Sequence, residues 1–324
     1  MHTRDSLLAA LKDGQRFPAE QLALEPEVMR CYWEWWWSHA SFDRLTRPYL
    51  VSDDDAEVAV ATHNKPSIDT VTYTAFASAY LLNARRAGYL LHGTMLDRAD
   101  YRDCLVRHVL RHGERDAEPV VVFVGGGYGS GKTTILDFLV KHGQLPIQRG
   151  QVMGVDYFKA YLPEYCFLQR LGEGRASSVV QEEARLMSDD LFNRLVRERL
   201  SFGWDSSMSN AAPTLDKLRT VRAAGYKVVF LAVFTPLDVA VRQAMERARK
   251  SRRFAHPERL PESHQGFRAC WREYLPFADE TWVFANEGTP PDSPKRRDPC
   301  LIARQVVPNK ELEIFDRTKF SNMV

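Results

Sequence analysis

The sequence predicts an α/β fold in which a parallel five-stranded sheet is flanked by helices and preceded by a mostly helical N-terminal domain. Up to about residue 116, apolar residues recur at the spacing of amphipathic helices, as in 19–45 and 75–91. Beyond that point, short runs rich in β-branched residues alternate with helical stretches, which is typical of a parallel sheet covered on both faces. Because such sheets bind ligands at the carboxyl ends of their strands, the residues that follow each strand are the first candidates for function.

The change of pattern divides the chain into three segments. We expect a mostly helical N-terminal domain over residues 1–116, the α/β domain over 117–290 and a C-terminal extension over 291–324. The candidate strands of the α/β domain are 119–124, 151–156, 201–206, 227–234 and 280–286. The helices predicted between these strands include 177–200 and 213–226.

Composition excludes several classes of protein. Hydrophobic residues make up 44% of the 324 residues, which is enough to bury a core. The formal net charge of +2 is a small difference between 44 basic and 42 acidic side chains, so nucleic acid and membrane surfaces are not expected as partners. No window approaches the roughly 18 apolar residues of a membrane span, and no cleaved signal is recognisable. We expect a cytoplasmic protein, although export by a signal-less secretion system would leave no such trace.

The cysteines indicate reduced thiols rather than a disulfide framework or a zinc site. They are far apart in the sequence and form no CxxC or Cys/His ligand spacing. Isolated cysteines of this kind are usually buried thiols in a reducing compartment. The five residues concerned are Cys31, Cys104, Cys166, Cys270 and Cys300.

Two features of the N-terminal domain have alternative interpretations. Trp33, Trp35, Trp36 and Trp37 could form a stacking platform for bases or sugars, but their helical spacing favours packing in a core or at a domain interface. The acidic run 53–55 could bind a cation, but a solvated loop or a helix start is the more usual structure for such a run. Neither feature assigns a role to this domain.

The segment 124-VGGGYGSGKTTILDF-138 follows the first predicted strand and matches the pattern G-x-x-x-x-G-K-[ST]. Its glycines let consecutive backbone N–H groups turn towards an anion, and the helix that follows adds the positive end of its dipole. We expect Lys132 to contact the β- and γ-phosphates of ATP or GTP, and the Thr133 hydroxyl to bind Mg²⁺. The predicted nucleotide-binding residues are Gly126, Gly127, Tyr128, Gly129, Ser130, Gly131, Lys132, Thr133 and Thr134.

An aspartate and a lysine follow the second predicted strand. Asp156 stands where a carboxylate could accept a proton from an attacking hydroxyl, which makes it the candidate general base. An N-cap for the next helix is the alternative role. Lys159 lies one helical turn further on, where it could hold an anionic group of a substrate or face solvent.

The third predicted strand ends in 205-DSSMSN-210. Asp205 occupies the position where P-loop proteins often keep a carboxylate for Mg²⁺, either directly or through water, and an aspartate in a serine-rich turn is the alternative. Ser207 offers a short hydroxyl beside it and is a candidate substrate contact. Upstream, Glu182 and Glu183 lie on a predicted helix; Glu183 is a candidate substrate contact, although a solvated helix face fits either residue.

The fourth predicted strand leads into a segment rich in arginine. Five of the seven residues in 247-RARKSRR-253 are basic, which could indicate a nucleic-acid patch or a solvated surface. In P-loop kinases that act on small molecules, however, arginines in this place close over the phosphates and neutralise charge on the transferred group. The arginines considered for this lid are Arg242, Arg247, Arg249, Arg252, Arg253 and Arg259.

This ordered set of motifs resembles the zeta toxin family of P-loop kinases over about residues 117–290. The motifs are GGYGSGKT, then 156-DYFK-159 followed by 162-LPEY-165, then a strand ending in an acid and small residues, and then the arginine-rich segment. The resemblance implies a P-loop kinase that uses ATP and Mg²⁺ to phosphorylate a sugar hydroxyl of a UDP-activated amino sugar such as UDP-N-acetylglucosamine. It also implies toxicity to cell-wall synthesis, with an antitoxin or chaperone protein as a candidate partner.

The resemblance also assigns roles to residues. It implies that Lys132 and Thr133 hold the phosphates and Mg²⁺, that Asp156 is the base, and that Arg247 and a following arginine act in the lid. We assign Arg253 as that second arginine and Arg259 as a substrate contact. The family often has G-R-x-x-P in this place, whereas this chain has 252-RRFAHP-257, so Arg252 and Arg259 are alternatives.

Two departures from the family pattern leave other functions open. The sequence 205-DSS-207 stands where the family commonly has an acid, a glycine and a threonine, which keeps the acid but changes the neighbouring groups. The first hundred residues match nothing recognisable in the family. The alternatives are a P-loop kinase for another alcohol, such as an NAD-type nucleotide, an antibiotic or a nucleic-acid end, and a nucleotide-dependent switch that transfers no phosphate.

Overall fold

The computed structural model of the chain describes the residues 102–103, 106–107, 109–110, 115–148, 151–160, 162, 165, 176–251, 253, 255, 259–288, 300–306 and 311–324. The helical segments, the tryptophan cluster and the acidic run predicted for the first hundred residues lie outside these ranges, as do Arg252, Pro163 and Glu164. Three of the cysteines, Cys31, Cys104 and Cys166, lie outside them as well, while Cys270 and Cys300 are free thiols.

The described residues form one seven-stranded sheet with the order β2-β3-β1-β4-β5-β6-β7. The first five strands in this order are parallel to their neighbours, whereas β6 runs antiparallel to β5 and β7 antiparallel to β6. The strands are β1 (Val120–Gly125), β2 (Val152–Met153), β3 (Phe202–Asp205), β4 (Lys227–Phe234), β5 (Glu280–Ala285), β6 (Cys300–Gln305) and β7 (Glu313–Ile314).

The prediction of a parallel five-stranded sheet is correct for β1 to β5 and wrong in the number of strands. The two additional strands, β6 and β7, come from the segment 291–324, which we had expected to be an extension. Residues 300-CLIARQ-305 contain a single β-branched residue, so their local preference for a strand is weak. They form a strand because the edge of β5 supplies a row of backbone partners.

Helices cover both faces of the sheet. They are α1 (Lys132–Lys141), α2 (Val155–Lys159), α3 (Ala176–Val179), α4 (Gln181–Arg197), α5 (Ala211–Ala223), α6 (Leu237–Ser251), α7 (Arg259–Tyr274) and α8 (Arg317–Met323), with a 3₁₀ turn at Leu275–Phe277. The helix predicted over 177–200 is thus two helices, α3 and α4, and the arginine-rich segment is helical as far as Ser251.

Alternation along β1 divides the core into two apolar layers. Val121 and Phe123 face the layer that contains α4, α5 and α7, while Val122 and Val124 face the layer that contains α1. All four side chains are at most 1% exposed. This two-sided burial is what a parallel strand with a continuous apolar sequence requires.

The core places the ends of three strands side by side. Because β1 pairs with β3 and β3 with β2, the segments that follow these strands meet at one edge of the sheet. Strand β2 is shorter than predicted, since it ends at Met153, and Asp156 lies in the first turn of α2 rather than at the end of the strand. Asp205 is the last residue of β3, as its position in the sequence predicted.

Candidate active site

The segment between β1 and α1 has the backbone conformation of a phosphate-binding loop. Gly129 and Gly131 have φ angles of 73° and 86°, in the left-handed region that favours glycine. Gly131 is also the N-cap of α1, so the N–H groups of the first turn of this helix are directed towards the loop. A Cβ atom at Gly129 would lie 2.5 Å from the Ala240 carbonyl oxygen, so this position also needs a glycine for space.

We expect Gly129→Ala to abolish nucleotide binding or folding, because the added methyl group would collide with backbone that cannot move independently. Gly143 is the matched control: its φ angle is 64°, but among the described residues a Cβ there would meet no heavy atom within 4 Å. Gly143→Ala should therefore lower the free energy of unfolding by only about 1 kcal/mol, the strain of a left-handed backbone conformation. Urea unfolding and titration with a fluorescent ATP analogue distinguish the two variants. Equal losses in both variants would contradict the steric explanation.

Buried polar groups hold the far side of this loop. The Ser130 carbonyl oxygen accepts hydrogen bonds from Thr235 Oγ1 at 2.9 Å and from Asn286 Nδ2 at 2.7 Å. Asn286 Oδ1 in turn accepts a hydrogen bond from the Gly288 N–H at 3.0 Å. The loop is therefore fixed from the ends of β4 and β5 before any ligand binds.

Lys132, the first residue of α1, folds back over the loop. Its Nζ donates hydrogen bonds to the carbonyl oxygens of Gly126 at 2.8 Å and Gly127 at 3.3 Å, and lies 3.9 Å from Asp205 Oδ1. Burial lowers the pKa of Lys132, and the charge of Asp205 opposes that shift. An anion at the loop would offer this ammonium group better partners than two carbonyl oxygens.

Asp156 lies across the same cavity from the phosphate loop, with a cation on each carboxylate oxygen. Lys159 Nζ is 3.0 Å from Oδ1, and the Arg253 guanidinium contacts Oδ2. Desolvation by the surrounding protein favours the neutral acid, but the charges of Lys159 and Arg253 hold the pKa of Asp156 well below its ordinary value. The carboxylate is therefore ionised throughout the physiological pH range.

Lys159 is a buried residue, with 3% of its surface exposed. Besides Asp156, its ammonium donates hydrogen bonds to Ser177 Oγ at 2.6 Å and Gln181 Oε1 at 2.5 Å. Three acceptors match the three hydrogens of an ammonium group. This arrangement favours a role in positioning Asp156 over the contact with a substrate anion that we expected from the sequence.

The candidate residues surround a cavity of about 510 Å³. Asp205 and Ser207 enter it from the end of β3, and Thr133 enters it from α1. The Ser207 hydroxyl shares a hydrogen bond of 2.9 Å with Ser209 Oγ. The other predicted residues that line the cavity are Tyr128, Gly129, Ser130, Gly131, Lys132, Asp156, Arg247 and Arg253.

The lid arginines do not behave alike. Arg247 and Arg253 both line the cavity, whereas Arg259 does not. Arg259 is exposed at the start of α7 and pairs with Glu262 at 3.1 Å. Arg242 pairs with Asp238 at 2.7 Å on the same helix.

Two other candidates lie away from this cavity. Glu183 is buried in α4, and its Oε1 is 3.5 Å from Arg102 Nε, so it anchors a residue that precedes the sheet in sequence. Its side chain does not line the cavity, contrary to our expectation of a substrate contact. Thr134 faces an adjoining cavity of about 560 Å³, which shares Gln243 and Arg247 with the first.

Two glutamines that line the cavity were not predicted as site residues from the sequence. Gln243 and Arg247 both face the cavity because they are four residues apart on α6, so the i, i+4 spacing could have identified Gln243. Gln181 is the first residue of α4 and is positioned by its hydrogen bond from Lys159. No local pattern distinguishes Gln181 from any other glutamine at the start of a helix.

The arrangement of phosphate loop, Asp156, Asp205 and arginines agrees with a family match over most of the described chain. Residues 106–289 match the family model named Zeta toxin. The chain belongs to the zeta toxin family. It is accordingly a kinase-type phosphotransferase with a P-loop kinase fold.

Solved structures similar to this zeta toxin family member have low identity. One comes from work on the PezAT chromosomal toxin–antitoxin system of Streptococcus pneumoniae, with 18% identity, a TM-score of 0.42 and coverage of 57% of this chain and 75% of that one. The AvrRxo1-ORF1:-ORF2 complex has 15% identity and a TM-score of 0.48, covering 70% and 72%. Shikimate kinase from Bacteroides thetaiotaomicron has 15% identity and a TM-score of 0.32, covering 54% and 90%. No curated protein matches the sequence.

The described residues of this family member contain neither a membrane-spanning helix nor a cluster of metal-binding side chains. None of the helices in the described ranges is long and apolar enough to cross a membrane. Within the same ranges, no group of three or more His, Cys, Asp or Glu side chains could hold a metal ion.

Proposed function

We propose that this protein transfers the γ-phosphoryl group of ATP to a hydroxyl of a nucleotide-linked sugar of the UDP-N-acetylglucosamine type. The observation that carries the proposal is the position of Asp156, which faces the phosphate loop across one cavity and is flanked by Arg253. A protein that only bound or hydrolysed a nucleotide would have no need of a carboxylate directed at a second substrate. The proposal therefore assigns the donor, the acceptor and the base to the same cavity.

On the donor side, the phosphate loop and Lys132 would bind the triphosphate. The adjoining cavity beside Thr134 and Arg242 has room for the nucleoside, because its volume is about 560 Å³ and its lining does not include Asp156. Thr133 and Asp205 fit Mg²⁺, since both offer the hard oxygen ligands that this ion prefers and both line the cavity near Lys132. Bound Mg²⁺ would neutralise charge on the β- and γ-phosphates.

On the acceptor side, the sugar hydroxyl would attack the γ-phosphorus while the bond to the β–γ bridging oxygen breaks and ADP leaves. The hydroxyl proton would pass to Asp156. A carboxylate with so low a pKa is a weak base, so Asp156 first has to lose a cationic partner. Arg253 is that partner, because the γ-phosphate would compete for its guanidinium and Lys159 is anchored by two other side chains.

Single substitutions of Arg253 and Arg259 can show which of them is the second lid arginine. Arg253→Ala should lower the rate of phosphoryl transfer by about 10²-fold or more, because Arg253 faces the cavity and would neutralise the transferred group. Arg259→Ala should leave the rate near that of the wild type, because Arg259 is exposed and paired with Glu262. Steady-state rates at saturating ATP test both variants. Loss of activity in Arg259→Ala alone would reverse the assignment.

The polar wall of the cavity supports a sugar as acceptor. Ser206, Ser207 and Gln181 line the cavity on the side of Asp156 and offer hydroxyl and amide groups, which suit a ligand with several hydroxyls. The zeta toxin family suggests that this sugar carries UDP. From the same family membership we propose an antitoxin or chaperone protein as partner. We also propose the cytoplasm as the site of action.

The decisive experiment is incubation of the protein with ATP labelled in the γ-phosphate and a metabolite extract, followed by identification of the product by mass spectrometry. Label on a UDP-amino sugar is the expected result. Label on a dinucleotide or on RNA ends would replace the proposed acceptor, and release of phosphate to water with no labelled product would contradict the kinase proposal.

A further inference from the structure

Helix α7 contacts two segments that line the cavity, the phosphate loop and the segment after β3. The sequence predicted only a lid in this part of the chain. It begins at Arg259 and crosses behind the carboxyl ends of β1 and β3. Its buried face carries polar groups near both ends, and each of these groups contacts backbone of a segment that lines the cavity. These contacts lie outside the roles described above for the phosphate loop, Asp156 and the arginines.

The N-terminal half of α7 holds one residue of the phosphate loop, Tyr128, through both its N–H and its carbonyl oxygen. Ser263 Oγ accepts a hydrogen bond from the Tyr128 N–H at 2.9 Å, and His264 Nε2 lies 2.8 Å from the Tyr128 carbonyl oxygen. Burial lowers the pKa of His264 to about 4, so the ring is neutral and its Nε2–H donates to that oxygen. The His264 ring also fills the space beside Gly127, where a Cβ would lie 2.2 Å from it.

The middle of α7 packs directly against backbone. A Cβ at Gly266 would lie 2.4 Å from the Ser209 carbonyl oxygen, so the helix and the segment after β3 approach without an intervening side chain. A Cβ at Gly125, at the end of β1, would lie 2.5 Å from the Phe267 ring. Neither segment could shift towards α7 without a steric clash.

The last turn of α7 holds the segment after β3. The Tyr274 hydroxyl donates a hydrogen bond of 2.9 Å to the carbonyl oxygen of Met208, and Cys270 Sγ lies 3.3 Å from the same oxygen. Met208 has a φ angle of 49°, which is unfavourable for a residue with a side chain. This turn directs Ser207 into the cavity, so its conformation needs an external stabilising contact.

We propose that α7 positions the two halves of the active site independently: Ser263 and His264 position the phosphate loop, and Tyr274 positions the segment 206–209, which follows Asp205. The side chains of these positioning residues have no part in the proposed chemistry. The inference rests on the proposed function only in naming the two halves as donor and acceptor sides. The contacts themselves are separable, because they lie at opposite ends of the helix.

The donor half is tested with Ser263→Ala, which removes the acceptor of the Tyr128 N–H. We expect the Kd for a fluorescent ATP analogue to rise about tenfold and amide exchange in 206–209 to stay unchanged. Ser201→Ala is the matched control, because Ser201 Oγ accepts a hydrogen bond from the Val120 N–H at 3.0 Å at the opposite end of β1. This control should leave the Kd as in the wild type.

The acceptor half is tested with Tyr274→Phe. We expect amide hydrogen exchange in 206–209 to become about tenfold faster, and kcat for the transfer to fall about tenfold. The Kd for the ATP analogue should stay unchanged, because Asp205 is held separately by its pairing with β1. Tyr226→Phe is the matched control, since the Tyr226 hydroxyl is likewise hydrogen-bonded to backbone. Its acceptors are the carbonyl oxygens of Leu195 and Leu200, away from the cavity. This control variant should have a lower free energy of unfolding but unchanged amide exchange in 206–209.

The two readouts that use no acceptor decide the inference whatever the sugar proves to be. If Ser263→Ala and Tyr274→Phe raise the Kd for the ATP analogue equally, α7 does not position the two halves separately. The same conclusion follows if Ser263→Ala leaves the Kd unchanged and Tyr274→Phe leaves the amide exchange unchanged. If transfer to the UDP-sugar fails in the wild type, the proposed function is wrong, and the analogue affinity and the exchange rates still test α7.

Discussion

Replacement of Asp156 by Asn is expected to lower phosphoryl transfer by about 10³-fold, with nucleotide affinity changed by no more than about threefold. The amide cannot accept the proton of the attacking hydroxyl, whereas the phosphate loop and Lys132 are untouched. The amide oxygen can still accept from Lys159, which limits the effect on the fold. Single-turnover transfer and titration with a fluorescent ATP analogue measure the two quantities separately.

Asp216→Asn provides the control for this change of charge. Asp216 is exposed on α5 and pairs with Arg219 at 2.9 Å, so its substitution should alter neither transfer nor nucleotide affinity. Full transferase activity in Asp156→Asn would remove Asp156 from the mechanism and with it the main support for a second substrate. Loss of nucleotide binding in that variant would instead indicate that Asp156 contributes to the loop.

Replacement of Lys132 by Ala is expected to reduce both nucleotide affinity and transfer, the latter by about 10³-fold. Lys132 Nζ lies within reach of two carbonyl oxygens of the loop and of Asp205, at the place where the phosphates would bind. Its removal takes away the positive charge that the β- and γ-phosphates require. Calorimetric titration with ATP and the transfer assay give the two effects.

Lys141→Ala is the matched substitution at the other end of the same helix. Lys141 is the exposed last residue of α1, so its loss should leave ATP affinity and transfer unchanged. Circular dichroism of both variants establishes that the helix is kept. An Lys132→Ala protein that bound ATP as tightly as the wild type would place the phosphates elsewhere than on this loop.

Features that depend on neighbouring residues in the chain could be predicted from the sequence. The phosphate loop was predictable because glycine spacing, a preceding apolar run and a following helix are adjacent in the chain. Asp205 was predictable for the same reason, since it ends a short strand. Strand β6 was not, because its residues have weak strand preference and depend on the edge of β5 for partners.

The contacts between distant segments could not be predicted in the same way. Arg253 and Arg259 are equivalent in the sequence as lid candidates, but only Arg253 reaches Asp156, 97 residues away. The clamp on Tyr128 by His264 spans 136 residues and involves residue types that carry no motif. Lys159 was expected at the surface or at a substrate, whereas packing of α2 against α4 buries it between Ser177 and Gln181.

The fold class, the phosphate loop and the family were predictable from the amino-acid sequence alone, because they depend on local motifs and on the order of those motifs along the chain. The folded structure was needed to show which arginine contacts Asp156, which lysine is buried and which helix contacts the two halves of the cavity. Those outcomes follow from the packing of helices on a twisted sheet, which brings together side chains whose separation in the chain carries no signal.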